Sequence, residues 1–270
     1  MKDRHILTRI QQELSDIEST ERVSIFYACE SGSRAWGFES RDSDYDVRFL
    51  YLHPVEWYLT IDSKRDVIER PIHDVLDISG WDIRKALSLL RKSNPPFLEW
   101  MQSPIVYKER EDIAGLIREA MPEYYSPISC LYHYLHMADG NYRKYLKEDE
   151  VWIKKYLYVL RPVLACMWIE QDRGLVPTEF RKLVDALIHE PALLSAVDEL
   201  LALKRAGMES DRGPKIAVLS DFIDRHLQRL SAEHARPATT RDPARLDDIF
   251  RTALINTWGR HIEPYVRGGV

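Results

Sequence analysis

An apolar run, a Gly-Ser pair and an Asp-x-Asp that opens a second apolar run constrain this chain more than any other stretch. Val23-Ser24-Ile25-Phe26-Tyr27-Ala28-Cys29 is short and rich in β-formers, and Gly32 follows it closely, so it is expected to be a buried strand. Asp44 and Asp46 follow Gly32 by 12 and 14 residues and lead into Val47 to Leu52, a second strand stopped by Pro54. Between the strands, Ala35-Trp36-Gly37-Phe38 reads as a short helix or turn. Side chains alternate across a strand, so Asp44, Asp46 and Arg48 are expected on one face and Tyr45, Val47 and Phe49 on the other.

That pattern carries chemistry. Two close carboxylates repel, and each resists ionising unless a cation lies between them. Hard divalent ions such as Mg²⁺ take oxygen ligands and keep waters for substrate phosphates, so Asp44 and Asp46 are candidate ligands for Mg²⁺ or Mn²⁺. Gly32 lets backbone approach a ligand, and exposed amides with the Ser33 hydroxyl can hold phosphate oxygens. Arg34 adds a charge-assisted contact to the same phosphates, and Arg48 either orients a carboxylate or meets substrate. A phosphate cradle beside a carboxylate-bound metal points to phosphoryl or nucleotidyl transfer.

The remaining periodicity places these two strands in a larger frame. Ile6, Ile10 and Leu14 mark an amphipathic helix over residues 3–17. Asp66-Val67-Ile68-Glu69, ended by Pro71, and Val75-Leu76-Asp77-Ile78 read as third and fourth strands. Ser79 to Asp82 has capping-box spacing before a helix carrying Ile83, Leu87 and Leu90, which Asn94-Pro95-Pro96 ends. From about residue 112 the pattern is helical throughout, with Pro162 expected to kink or break one helix. Helices are expected near 178–188, 191–206, 214–231 and 244–256, and residues 233–243 read as a loop. The expected fold class is α+β, with a small mixed-sheet domain over 1–110 followed by an all-helical domain over 111–270.

Composition narrows the partners. A formal net charge of −5 does not favour general binding to a nucleic-acid backbone, though a local basic groove stays open. Cys29, Cys130 and Cys166 are widely spaced, without the pairing of a disulfide framework or zinc site. No apolar run is long enough for a membrane span, and the N-terminus lacks an apolar targeting core, so a cytoplasmic location with no membrane partner is expected.

Gly32-Ser33-Arg34-Ala35-Trp36-Gly37 with Ser43-Asp44-Tyr45-Asp46-Val47-Arg48 resembles the signature of the DNA polymerase β-like nucleotidyltransferase superfamily. In detail it is similar to the branch that includes the RNA-ligase-associated, RlaP-like proteins. Leu76 to Asp82 and Asn94 to Trp100 are also similar to that branch, and the resemblance is strongest over about residues 23–107. It implies a nucleotidyltransferase domain at the N-terminus, a divalent metal, a nucleoside triphosphate donor and a third carboxylate on a neighbouring strand. Asp77 is the choice for that third ligand, since a carboxylate in an apolar strand needs a metal or donor partner; Asp74 and Asp82 are its rivals. Asp77 is then expected to bind the catalytic metal and help deprotonate the attacking hydroxyl.

The helical part is expected to supply the other wall of the cleft. If residues 151–161 are helical, Lys154, Tyr158 and Arg161 share a face able to hold a triphosphate and stack a base. The expected function is Mg²⁺-dependent transfer of a nucleoside monophosphate from an NTP to a hydroxyl, with release of pyrophosphate. The acceptor is left open among an RNA end, a protein side chain and a small molecule. The competing expectation is a nucleotide-sensing or partner-binding module with little turnover, as in a toxin-antitoxin system. A phosphodiester hydrolase ranks last, for want of His-Asp clusters.

Overall fold

The structure is a computed structural model that describes residues 2–40, 42–72, 74–207, 212–232 and 241–259. Its first part runs α1 (Lys2–Glu21), β1 (Ser24–Glu30), α2 (Gly32–Trp36), β2 (Tyr45–Leu52), α3 (Val55–Tyr58), β3 (Val67–Glu69), β4 (Leu76–Asp82), α4 (Ile83–Arg91), α5 (Pro95–Met101) and β5 (Val106–Glu109). The strands form one sheet in the order β3-β4-β2-β1-β5. Its single parallel pair, β2 with β4, lies at the centre, and the other pairs are antiparallel. The fold is therefore α+β with a mixed sheet, as the patterning predicts.

Alternation along the central strands separates two cores. Val47, Phe49 and Tyr51 of β2 face α1, where Ile10, Leu14 and Ile17 are buried against them and against Ile25, Ala28 and Ile78. Full burial of such side chains is worth roughly 1.5–3 kcal/mol each. Leu50 and Leu52 face the opposite way, into a core that takes in Ile83, Leu87 and Leu90 of α4 and Phe97 of α5. That core continues without a break into the second part of the chain, through Ile113, Leu160 and Leu254 among others.

The second part runs α6 (Glu111–Tyr124), α7 (Pro127–Tyr145), β6 (Glu150–Val151), α8 (Lys155–Glu170), α9 (Phe180–Leu187), α10 (Pro191–Arg205), β7 (Gly213–Pro214), α11 (Ala217–Ala232) and α12 (Ala244–Trp258). It is not purely helical, because β6 pairs with β7 in a two-residue ladder. Gly207 takes the left-handed conformation just beyond α10, as a C-terminal glycine does. Of the expected loop 233–243, residues 233–240 lie outside the described residues.

Of three local expectations, one loses an alternative, one holds with an addition and one is corrected. Pro162 lies inside α8 and does not break it. Asn94-Pro95-Pro96 ends α4 but also starts α5: Asn94 Oδ1 accepts the Phe97 amide at 3.1 Å, with proline in the first turn, where a missing N–H costs nothing. Ser79 and Gly80 are not in a capping box but on β4, and Asp82 is itself the N-cap of α4, accepting the Arg84 amide at 2.8 Å.

Asp82 and His53 give this region a testable pH response. Asp82 is fully buried, and burial pushes its carboxyl up to about 6 from 3.8, against the Tyr58 hydroxyl that donates to it. Burial likewise holds the His53 imidazole down at about 4 from 6.5, with the ring stacked 4.0 Å from Trp57. Asp82's contribution to stability is complete below pH 3.8 and is lost as pH rises through about 6. His53's contribution is complete above pH 6.5 and is lost as pH falls through about 4. The two slopes oppose one another over the same window. Thermal unfolding from pH 4 to 6.5 is therefore expected to show Asp82→Asn gaining stability relative to wild type as pH rises, and His53→Gln losing it. Parallel wild-type and variant curves would refute this pairing.

Candidate active site

The end of β1 and the start of β2 meet at α2. The Ser31 amide donates to the Asp46 carbonyl at 2.8 Å, so the turn that follows β1 is laced to the strand bearing the carboxylates. Gly32 opens α2 with φ of +59°, and a Cβ there would lie 2.1 Å from Asp46 Oδ2. Both facts demand glycine: an L side chain is strained at that φ, and the Asp46 carboxylate fills the space it would take. Ser33 is buried beside it at 8 % exposure.

Asp46 and Asp77 are cross-strand neighbours in the parallel pairing of β2 and β4. They lie on the sheet face opposite α1, at the strand starts, where their side chains keep 30 % and 31 % exposure. Asp44 stands just ahead of β2, close enough for its charge to act on Asp46. Arg48 joins the group from the same face. Its Nη2 donates to Asp77 Oδ2 at 2.8 Å and Asp46 Oδ1 at 3.3 Å, and its Nη1 donates to the carbonyls of Val47 and Asp77. Burial holds the Asp46 carboxyl above the usual range; Arg48 opposes this, and the charges of Asp77 and Asp44 add to it.

The rivals for the third carboxylate go elsewhere. Asp74 is 78 % exposed and pairs with Arg9, while Asp82 is spent on the cap of α4 and on Tyr58. One carboxylate that sequence reasoning passed over belongs here instead. Glu30 is fully buried, accepts the Asp46 amide at 2.7 Å and takes the Tyr107 hydroxyl on its other oxygen. Burial pushes its carboxyl up to about 7, with the negative Asp46 adding to the rise. Its position behind Asp46 depends on β5, an edge strand whose residues are exposed or half-buried and so leave no periodic signal.

Arg34 is turned toward the chain itself. Its guanidinium donates to the carbonyls of Ser43 at 2.7 Å and Asp44 at 3.1 Å, and lies 3.7 Å from the centroid of the Tyr45 ring. It braces the turn that presents Asp44. A cavity of about 780 Å³ opens on the α1 side of this turn, lined by Arg9, Arg34, Tyr45 and Arg205 among others; neither Asp46 nor Asp77 lines it.

The basic face expected on the helical part is not assembled. Arg161 is 1 % exposed and cannot meet a triphosphate, which corrects the expectation for it. Its guanidinium donates to Glu99 Oε1 at 2.8 Å and to the Thr178 carbonyl, and lies 4.6 Å from the Trp36 ring. α8 is buried on nearly all sides, so its one arginine pairs inward. Lys154 precedes α8 with its Nζ 5.8 Å from the Trp152 ring. Tyr158 sets its ring edge-on to Trp36 and Phe38, packing behind α2.

The profile described as RlaP, "RNA repair pathway DNA polymerase beta family", matches residues 6–252. The chain belongs to this family. It is 51 % identical over 222 residues to the protein YcgL of Bacillus subtilis (strain 168), itself described as uncharacterized, covering 82 % of this chain and 85 % of that one. A nucleotidyltransferase-like protein from Exiguobacterium sibiricum 255-15, seen in a crystal structure, aligns over 93 % of this chain and 91 % of its own. It shares 13 % identity at a TM-score of 0.31. Membership makes this a polymerase β-like nucleotidyltransferase by family.

The family implies a divalent metal, and the donor chemistry fits one. Asp44, Asp46 and Asp77 carry carboxylate oxygens of the kind Mg²⁺ prefers, and the charges of Asp44 and Asp77 both act against a negative Asp46. They are not set as a finished cage: among the described residues no three His, Cys, Asp or Glu stand in ligating arrangement.

Gly32→Ala tests how closely this group is built. The new methyl must push the Asp46 carboxylate aside and hold a left-handed backbone, a strain of roughly 1–2 kcal/mol before any shift of Asp46 is counted. The expected result in urea denaturation is a loss of about that size. Wild-type stability together with an unmoved Asp46 in a crystal structure would show that the turn has slack.

Proposed function

We propose that the protein is a Mg²⁺-dependent nucleotidyltransferase that moves a nucleoside monophosphate from an NTP to a hydroxyl. The observation that carries this reading is the pairing of Asp46 with Asp77 on adjacent parallel strands, with Gly32 packed against the Asp46 carboxylate. The acceptor oxygen bonds to the α-phosphorus, the bond from that phosphorus to the bridging oxygen breaks, and pyrophosphate leaves with the displaced electron pair. Asp44, Asp46 and Asp77 would hold the metal, whose bound charge offsets the negative charge that builds on the phosphate oxygens. Asp77 takes the proton from the acceptor hydroxyl. Gly32 and Ser33 hold donor phosphates, Arg34 keeps Asp44 in place through its carbonyl, and Arg48 presents a cation to the same phosphates. The chain from residue 111 onward closes the cleft from the far side, with Lys154 and Tyr158 as its candidates for the nucleotide. Arg161 has no place in that binding.

The description of the family as part of an RNA repair pathway supports an RNA end as the acceptor. The net charge of −5 confines such an acceptor to a local contact rather than a long track. A nucleotide-binding module with little turnover is the second reading. It is favoured by the Arg48 guanidinium held between Asp46 and Asp77.

The test is transfer of label from each α-labelled NTP to RNA with free ends, in Mg²⁺ or Mn²⁺, with pyrophosphate measured in parallel. Label on RNA with equimolar pyrophosphate is the expected result. Nucleotide binding with no transfer to RNA, to protein or to small hydroxyl compounds would favour the second reading.

A further inference from the structure

Arg48 is placed oddly for a residue whose only task is to orient a ligand. Its side chain is 17 % exposed and its guanidinium divides into two halves. Nη1 is anchored on two backbone carbonyls, those of Val47 at 3.1 Å and Asp77 at 3.2 Å. Nη2 spans the two carboxylates, at 3.3 Å from Asp46 and 2.8 Å from Asp77. The positive charge thus sits in the gap that a shared metal would need. An arginine stays protonated at any working pH, so it cannot step aside by losing its charge.

Accepting that Asp46 and Asp77 are metal ligands, as proposed above, we infer that Arg48 is a built-in counter-cation that a divalent ion must displace from both carboxylates. Two consequences follow from charge alone. Arg48 offsets the like-charge repulsion between Asp46 and Asp77, so the fold tolerates the two carboxylates side by side. It also weakens metal binding, because the incoming ion has to replace existing ion pairs and then sit near a fixed positive charge. The guanidinium is rigid, so Nη2 cannot leave the gap while Nη1 stays on the Val47 and Asp77 carbonyls, and the incoming ion has to shift the whole group. Once the carboxylates turn to the metal, Nη2 is left as a donor with no partner, and a donor phosphate oxygen is the natural one to take it. Metal loading is thereby made easier by the nucleotide that arrives with it.

A purely orienting arginine predicts the opposite sign: losing it would disorder the carboxylates and lower metal affinity. Direct Mn²⁺ binding to the full chain, followed by electron paramagnetic resonance of free Mn²⁺, separates the two without any assay of turnover. Arg48→Met removes charge and hydrogen bonds together. Arg48→Gln removes the charge while keeping a donor for the Val47 and Asp77 carbonyls, which guards against a variant that fails to fold. Both are expected to bind Mn²⁺ roughly tenfold tighter than wild type or better. Adding Asp77→Asn to Arg48→Gln is expected to remove that gain. Equal or weaker binding by folded Arg48→Gln, with wild-type binding that still depends on Asp46, overturns the inference and leaves the metal reading standing. No Mn²⁺ bound by wild type or by either variant overturns both.

Discussion

Asp46→Ala is expected to cut label transfer by about 10³-fold or more while leaving the protein folded. The first half rests on the place of Asp46, which is the one carboxylate touching every other part of the group. It lies against Gly32, pairs in register with Asp77, meets Arg48 and feels the charge of Asp44. A lost metal ligand removes several kcal/mol of transition-state stabilisation, and each ~1.4 kcal/mol is tenfold in rate. The second half rests on what the fold holds Asp46 by. Its amide donates to Glu30 and its carbonyl accepts from Ser31, and neither bond involves its side chain. Its carboxylate is partly desolvated beside two like charges, so removing it relieves repulsion, and Arg48 keeps its closer partner Asp77. Initial rates of transfer and a thermal unfolding curve on the same sample check both halves. Wild-type rates in a folded Asp46→Ala protein would sink the proposed mechanism.

Arg161→Met is expected to cost the fold about 3–5 kcal/mol, more than any surface change would. Glu99 and Arg161 form an ion pair at 2.8 Å with side-chain exposures of 9 % and 1 %. Three further groups converge on Glu99: Trp36 Nε1 donates at 3.0 Å, the Tyr134 hydroxyl at 2.8 Å, and Thr178 Oγ1 to its carbonyl at 3.1 Å. Removing the arginine leaves a buried carboxylate with two neutral side-chain donors, and it is this unmatched charge that carries the penalty. The double change Glu99→Gln with Arg161→Met is therefore expected to recover part of the loss, because no net charge is then buried. Urea denaturation of wild type, the two single variants and the double variant measures it. A double variant that sums the two single losses would show that the pair does not act as a unit. Trp36 ends α2, so this network is also what fastens the Gly-Ser element to α5, α7 and α8.

Much of the candidate site was legible because its parts are close in the chain. Gly32, Asp44 and Asp46 fall within one strand-turn-strand unit, and the two-residue period of β2 put Asp46 and Arg48 on one face without any tertiary knowledge. Asp77 was within reach as a carboxylate in an apolar strand. Glu30 was not, because it earns its place from Tyr107, 77 residues away on a strand that patterning did not reveal. Glu99 carried a signal that went unused: a lone charge inside Phe97-Leu98-Glu99-Trp100-Met101 belongs to a buried partner more often than to solvent. Arg161 was misjudged for a related reason. Helical spacing says which residues share a face, and it is silent on whether that face looks inward when the helix is apolar all round.

By itself the sequence determined the α+β order of elements, the strand-turn-strand unit and the carboxylates at its mouth, since strand period, glycine and proline act over a few residues. Only the tertiary structure decided which charges meet. It set Asp77 beside Asp46 through the parallel register of β2 and β4, placed Arg48 between them, turned Arg34 onto the Asp44 turn and buried Arg161 against Glu99. The physical reason is that a charge is stabilised by partners within a few ångströms of space, and those partners lie 29 and 62 residues away for Arg48 and Arg161.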